Sequence, residues 1–212
     1  MVAGLIDLRA NFLNGTVRMT WRFPSNAPEA VHIYGIRQSG NEISFDPRFH
    51  ITRELRDCGS GIAFDYSGVS DVDVKRVTFC VFLAERNFNS PDLRIAQMIP
   101  GCFVSVITGR ATVLFDVKSK PCGPDLANHR LVVKSSSTFD AGILGYMHYF
   151  NGKGIAAELP GRIDRGIRIY PPIYLQRAAQ PPVICLIGGT NGDINIERGK
   201  IAALRYLFSA NN

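Results

Sequence analysis

The sequence predicts an all-β protein built from two tandem β-sandwiches, and the first observation behind this prediction is strict alternation. From Thr16 to Phe23 every second residue is apolar, namely Val17, Met19, Trp21 and Phe23. A half-buried antiparallel strand has this two-residue period. The segment from Ile6 to Phe12 alternates in the same way, and Asn14-Gly15 supplies the positive φ angles of a two-residue hairpin turn. We therefore expect two paired strands with Trp21 anchored in a core.

The second observation is that no amphipathic helix of three turns occurs within residues 1–90. The near-continuous apolar run of residues 77–84 predicts a central strand that is covered on both faces. Further strand segments follow the same patterns: Val31 to Ile36, Glu42 to Phe45, His50 to Thr52 and Gly61 to Asp65. Together these segments predict an all-β class.

The third observation is a recurrence of the opening pattern later in the chain. Val104 to Val117 overlays Ala10 to Phe23 at a shift of about 94 residues, which places Phe115 on Trp21. Gly154 to Glu158 repeats the pattern of Gly61 to Asp65 at almost the same shift. Matches in the same order predict a tandem duplication.

A linker is predicted near residues 88–100, where Asn, Ser, Pro and Gly cluster on both sides. The predicted domains are therefore residues 1–96 and residues 97–212. The second domain carries extra material near residues 161–176.

The first domain resembles a fibronectin type III module, which is a seven-stranded β-sandwich of the immunoglobulin-like class. The resemblance rests on Trp21 shortly before Pro24, on Tyr34 in the third strand, and on the late pattern Phe79-x-Val81-x-Leu83-x-Glu85-x-Asn87. Phe79 replaces the usual Tyr, which removes a hydroxyl hydrogen bond to a neighbouring loop. The second domain departs further, because Phe115 stands where Trp is expected. The resemblance implies an interaction and spacer module without catalytic residues.

Charge is distributed unevenly along the chain. Residues 1–96 contain eleven Lys and Arg against eleven Asp and Glu, whereas residues 97–212 contain thirteen against seven. The second domain therefore carries the whole net charge of +6. Such a surplus favours solubility, and it can also steer the domain towards an acidic partner.

The predicted compartment is a reducing cytoplasm. No secretory leader and no apolar run of membrane-spanning length are apparent, so we expect no membrane insertion. The five cysteines have irregular spacing, and Cys80 and Cys185 lie within apolar strand segments, where they are expected to be buried small side chains.

The sequence contains no recognisable catalytic or metal-binding motif. The four histidines stand alone in the sequence, no closely spaced pair of cysteines occurs, and the Gly188 to Asp193 turn lacks the ending of a phosphate loop. We therefore expect no metal, no cofactor and no catalytic residues. Carboxylates that converge only in space, as in a glycoside hydrolase, stay open as an alternative.

Two groups of residues are candidate binding sites. Arg162, Arg165 and Arg168 are three apart between glycines, and guanidinium groups on an exposed loop bind phosphates or carboxylates. The alternation of the strand before Asn151-Gly152 places Tyr146, His148 and Phe150 on one face. That aromatic face is predicted to pack on the neighbouring domain or to form a ligand platform.

These observations predict a non-catalytic binding or spacer module. It would recognise a protein, or a carbohydrate, through the second domain and the groove between the domains. The alternatives are an enzyme with converging carboxylates and an electrostatic binder of nucleic acid, and the second of these should lose affinity steeply with salt. Nucleic acid is the less favoured partner, because no aromatic and basic residues interleave on a predicted surface.

Overall fold

The computed structural model describes residues 2–39, 42–66, 73–88, 93–189 and 192–202. Almost all of the regular secondary structure in the described chain is β-strand, which confirms the all-β prediction. Its two helices are one turn long, and neither is long or apolar enough to cross a membrane. The chain divides into two compact units. Unit 1 comprises residues 1–68 and 76–108, and unit 2 comprises residues 69–75 and 109–212.

Unit 1 contains seven strands in two antiparallel sheets, as the fibronectin type III resemblance implies. The strands and helices are β1 (Ile6–Leu13), β2 (Thr16–Arg22), β3 (Ala30–Ser39), β4 (Glu42–Glu54), α1 (Leu55–Cys58), β5 (Gly61–Asp65), β6 (Asp73–Ala84), α2 (Leu93–Gln97) and β7 (Phe103–Thr108). One sheet has the order β1-β2-β5; in the other, β4, β3 and β6 follow one another and β7 also pairs with β6.

The predicted opening hairpin is confirmed. Strands β1 and β2 pair around Asn14 and Gly15, which have φ angles of 51° and 79°. Trp21 is 3% exposed, and its indole N–H donates to the carbonyl of Gly59 at 3.2 Å. The alternation therefore fixes which side chains of β2 enter the core.

Strand β6 is covered on both faces, as its apolar run predicts. One face contributes Phe79, Val81 and Leu83 to an inner cluster between the two sheets. The opposite face contributes Cys80 and Phe82 to an outer cluster that also contains residues of the 93–102 segment. The sheet of unit 1 is thus buried on the side that would otherwise face solvent.

The segment predicted as a linker near residues 88–100 is part of this cover. Ala96 of α2 is 3% exposed, and Ile99 packs against the outer cluster. The compact units consequently have different bounds from the predicted domains 1–96 and 97–212. Strand β7 belongs to unit 1 because it pairs with β6, and the carbonyl of Cys102 accepts from the backbone N–H of Val81 at 2.7 Å.

Unit 2 is also built from two sheets. The strands are β8 (Ala111–Pro121), β9 (Leu126–Ser135), β10 (Thr138–Phe139), β11 (Leu144–Phe150), β12 (Lys153–Glu158), β13 (Gly166–Ile169), β14 (Ile173–Gln176), β15 (Val183–Leu186) and β16 (Ile194–Arg198). One sheet has the order β13-β9-β8-β16, with β14 also paired to β9, and the other has the order β12-β11-β15. Strand β10 pairs in parallel with the first two residues of β6. Phe115 is 2% exposed, as expected for a core residue.

The strand order of unit 2 does not repeat that of unit 1. The overlay at a shift of 94 residues predicts that β7 and β8 form a hairpin like that of β1 and β2. Instead, β7 pairs with β6. Strand β8 pairs antiparallel with β9 and in parallel with β16. The chain turns at Gly109, which has a φ angle of +104°. A Cβ atom at this position would lie only 2.7 Å from the carbonyl oxygen of Asp73, so a larger residue would clash. This turn directs β8 into unit 2 instead of back along β7.

Candidate functional site

The predicted insertion near residues 161–176 forms the edge of the larger sheet of unit 2. Strands β13 and β14 both pair antiparallel with β9, one after the other along its length. In the described part of the chain, neither strand has a partner on its other side. An edge strand of this kind presents every second backbone N–H and C=O outward.

Large apolar side chains are exposed along this edge. Ile167 is 53% exposed, Ile169 is 45% exposed and Tyr174 is 59% exposed. Their neighbours across the ladder are Lys134, Val132 and Asn128 of β9. Because paired residues point to the same side of a sheet, all three share one face. Leu126, 45% exposed, lies on that face too. We call Ile167, Ile169, Tyr174 and Leu126 the edge strip.

The edge strip ends at an open cavity of about 650 Å³ beside the β8–β9 hairpin. Leu126 belongs to both the strip and the cavity wall. Asp125 and Arg177 add one charge of each sign, and the backbone N–H of Arg177 donates to the carbonyl of Asp125 at 2.8 Å. The remaining lining residues are Pro124, Gln176 and Ala178. The strip and cavity form one continuous surface along a strand edge.

The three predicted arginines lie at the other end of this edge but do not converge. Arg168 donates to the carbonyl of Arg162, and its guanidinium carbon lies 5.2 Å from the ring centroid of Tyr170. The Arg162 Nε atom lies 3.4 Å from a carboxylate oxygen of Asp164. Arg165 is exposed. The guanidinium groups of Arg162 and Arg168 therefore contact residues of the same segment.

Tyr170 follows β13 and is buried below Arg168. It is 4% exposed, and its hydroxyl has no hydrogen-bond partner among the described residues. Burial raises the pKa of Tyr170 to about 12, although the positive charge of Arg168 opposes this effect. The hydroxyl therefore stays protonated across the physiological range.

The three residues of the predicted aromatic group on β11 differ in exposure. His148 is 9% exposed and stacks on Tyr146 with a centroid distance of 6.3 Å, while Tyr146 and Phe150 are half-buried. The opposite face of β11 carries Tyr149, which is 41% exposed. The ring of His148 is therefore withdrawn from solvent, and a role of this group in ligand binding stays a prediction.

The histidines, which stand alone in the sequence, come together in two pairs. In unit 2, His129 of β9 is 2% exposed and shares a 2.7 Å hydrogen bond with the hydroxyl of Ser119. Burial lowers the pKa of His129, and nearby His148 lowers it further. The far nitrogen Nε2 of His129 and the Nδ1 atom of His148 are buried without a hydrogen-bond partner among the described residues.

The second pair, His32 and His50, lies in unit 1. His32 is fully buried on β3, whereas His50 on β4 is exposed. Residue spacing gave no signal for either pair, because the members lie on different strands. Only the register of β3 with β4, which places His32 opposite Thr52 and His50 opposite Tyr34, could have identified the pair in unit 1.

No family model matches this sequence, and no curated protein matches it. Two solved structures show a weak likeness. The FN1–FN3 domains of chicken CNTN1 are 10% identical to this chain, with a TM-score of 0.33. The match covers 87% of this chain and 64% of the CNTN1 fragment, so this chain spans less than two thirds of the length of that fragment. The chicken interferon gamma receptor alpha chain is 9% identical with a TM-score of 0.27, covering 88% of this chain and 99% of that one. Likenesses this weak carry no argument, and the description of unit 1 as a β-sandwich rests on its own strand pairings.

Proposed function

We propose that this protein is a non-catalytic binding module whose unit 2 recognises an extended segment of a partner protein along the edge strip. The single observation that carries the proposal is the exposure of Ile167, Ile169 and Tyr174 on an edge that no strand of the described chain covers. Strand addition at such an edge combines backbone hydrogen bonds, which supply affinity, with side-chain contacts, which supply specificity. The groove between the two units stays a prediction.

Charge around the strip indicates the chemistry of the partner. Lys134 is exposed beside Ile167, and Arg165 is exposed just before β13. The charge surplus of the chain lies in residues 97–212, with thirteen Lys and Arg against seven Asp and Glu. An extended segment in which acidic and apolar residues alternate would therefore complement both features of the edge.

The test is selection of binding peptides from a displayed library of random linear peptides, using the full chain as bait. We expect selected peptides to alternate apolar with acidic residues. The double variant Ile167→Glu/Ile169→Glu should weaken their binding at least tenfold, about 1.4 kcal/mol, measured by fluorescence polarisation. Glutamate removes the apolar contact and repels an acidic peptide.

Ile155→Glu is the matched control, because Ile155 is 46% exposed on β12, an edge strand of the other sheet of unit 2. It should bind the selected peptides as the unchanged protein does. Equal losses in both variants, or selected peptides that bind all proteins alike, would contradict the proposal. Steep weakening with salt, without dependence on Ile167 and Ile169, would instead support a purely electrostatic binder.

A further inference from the structure

Three polar side-chain atoms converge on the outer face of the larger sheet of unit 1. The Nδ1 atom of His32 and the Nε2 atom of His50 are 3.4 Å apart. The hydroxyl oxygen of Thr52 lies 3.2 Å from the first and 3.0 Å from the second. The three atoms thus form a nearly equilateral triangle.

The triangle has the size of one face of a metal coordination tetrahedron. Zinc binds imidazole nitrogen and oxygen ligands at about 2.0–2.1 Å, and the edge of a regular tetrahedron with these bond lengths is about 3.3–3.4 Å. The nitrogen pair matches this edge, and the two distances to the hydroxyl are slightly shorter. In the described part of the chain, no group of three or more His, Cys, Asp or Glu side chains could hold a metal. A metal ion bound at this triangle would therefore have two imidazole ligands and one hydroxyl ligand, and water would complete its coordination.

The orientation of His32 supplies the lone pair that a metal needs. Its Nε2 atom lies 3.0 Å from the carbonyl of Glu85, which can only accept a hydrogen bond, so Nε2 carries the proton. In the neutral ring, Nδ1 then presents its lone pair to His50 and Thr52. Histidine ligands of metals usually donate their second nitrogen to such a carbonyl, which fixes the tautomer and the ring.

The second ring is held in place but is open to solvent. Tyr34 stacks on His50 with a centroid distance of 4.0 Å and an angle of 8° between the planes. The His32 and His50 ring planes are nearly parallel, at 14° to each other, with their centroids 5.7 Å apart.

We propose that His32, His50 and Thr52 form a binding site for a divalent transition-metal ion of the zinc and copper class. Imidazole nitrogen is a preferred ligand for these ions. Because His50 is exposed, the metal has an entry path and keeps at least one position for water or for a side chain of a partner.

The experiment is a calorimetric titration of Zn²⁺ into the full chain without a histidine tag. All proteins carry Cys122→Ser, because the exposed thiol of Cys122 is a rival zinc ligand. We expect saturable binding of one ion per chain in this background. His50→Ala should weaken binding at least tenfold, whereas Thr52→Ser keeps the hydroxyl and should bind within a few-fold of the background.

NMR of the imidazole nitrogens supplies an independent readout. Zn²⁺ should shift the Nδ1 resonance of His32 and the Nε2 resonance of His50, and it should leave those of His129 and His148 unchanged. Absence of saturable binding, equal binding by His50→Ala, or shifts confined to the other two histidines would overturn the proposal. None of these outcomes depends on whether the edge strip binds a peptide.

Discussion

At the residue scale, the buried hydroxyl of Tyr170 gives the protein a pH-dependent stability. The folded pKa of about 12 exceeds the value of about 10 expected in an unfolded chain. Between these values the folded state keeps a proton that the unfolded state loses, so the free energy of unfolding falls as pH rises from about 10 to 12. A shift of this size corresponds to about 2–3 kcal/mol.

Tyr170→Phe tests this dependence. At pH 7 the variant should be at least as stable as the unchanged protein, because it removes a buried hydroxyl without a hydrogen-bond partner in the described chain. Its stability, measured by urea unfolding, should fall less between pH 10 and pH 11. Tyr149→Phe is the control, since Tyr149 is 41% exposed, and it should behave as the unchanged protein. Equal alkaline losses in both variants would contradict the assignment.

At the element scale, α2 covers the outer cluster of unit 1. Ala96 is 3% exposed, and its carbonyl accepts from the thiol of Cys102 at 2.8 Å. We expect Ala96→Glu to lower the free energy of unfolding by about 2 kcal/mol or more, because a buried carboxylate must be desolvated or must displace the helix. Urea unfolding measures the loss.

The reactivity of two buried thiols gives a second measurement of whether α2 protects the outer cluster. Cys80 and Cys102 are fully buried below α2, so Ala96→Glu should speed the reaction of these thiols with a thiol reagent. Gln97→Glu introduces the same charge at the next, exposed position and should change neither the stability nor the thiol reactivity. If both variants behaved alike, α2 would not be the protective element.

The accuracy of the sequence prediction differs between these elements for a physical reason. Alternation in β2 and continuous apolarity in β6 report burial directly, and both predictions are confirmed. Helix α2 is only five residues long, too short to show a helical period, so its segment resembles a linker. The strands that pair with β7 and β8 are distant in the sequence. The similar alternation of apolar residues around Gly15 and Gly109 therefore carries no information about which strands pair.

At the scale of the whole molecule, β7 completes unit 1. We predict that a fragment of residues 1–108 is more stable and less prone to aggregation than a fragment of residues 1–96. The shorter fragment removes the acceptor of the Val81 N–H and the buried residues Val106 and Ile107, and it exposes an edge of the central strand. Light scattering and thermal unfolding of both fragments measure the difference. Equal behaviour would favour independent folding of residues 1–96.

The candidate sites illustrate what a sequence can and cannot predict for the whole chain. The sequence predicts extra material near residues 161–176 and indicates its three arginines as candidates, but it does not single out the exposed Ile167, Ile169 and Tyr174. Apolar side chains at alternate positions predict a strand without stating which face is solvated. The His32–His50 pair likewise requires the register of two strands, which local patterns do not specify.

Strand β6 has a consequence for synthesis on the ribosome. Its first residues pair within unit 2 through Thr138 and Phe139, whereas residues from Arg76 onward belong to unit 1. Thr138 lies 65 residues after Asp73, a separation that takes roughly 3–13 s to translate at bacterial or eukaryotic elongation rates. Once residue 108 has been translated, unit 1 can be complete while the start of β6 still awaits its partner, so Asp73 and Val74 are the residues at which a cotranslational chaperone or protease would meet unpaired backbone.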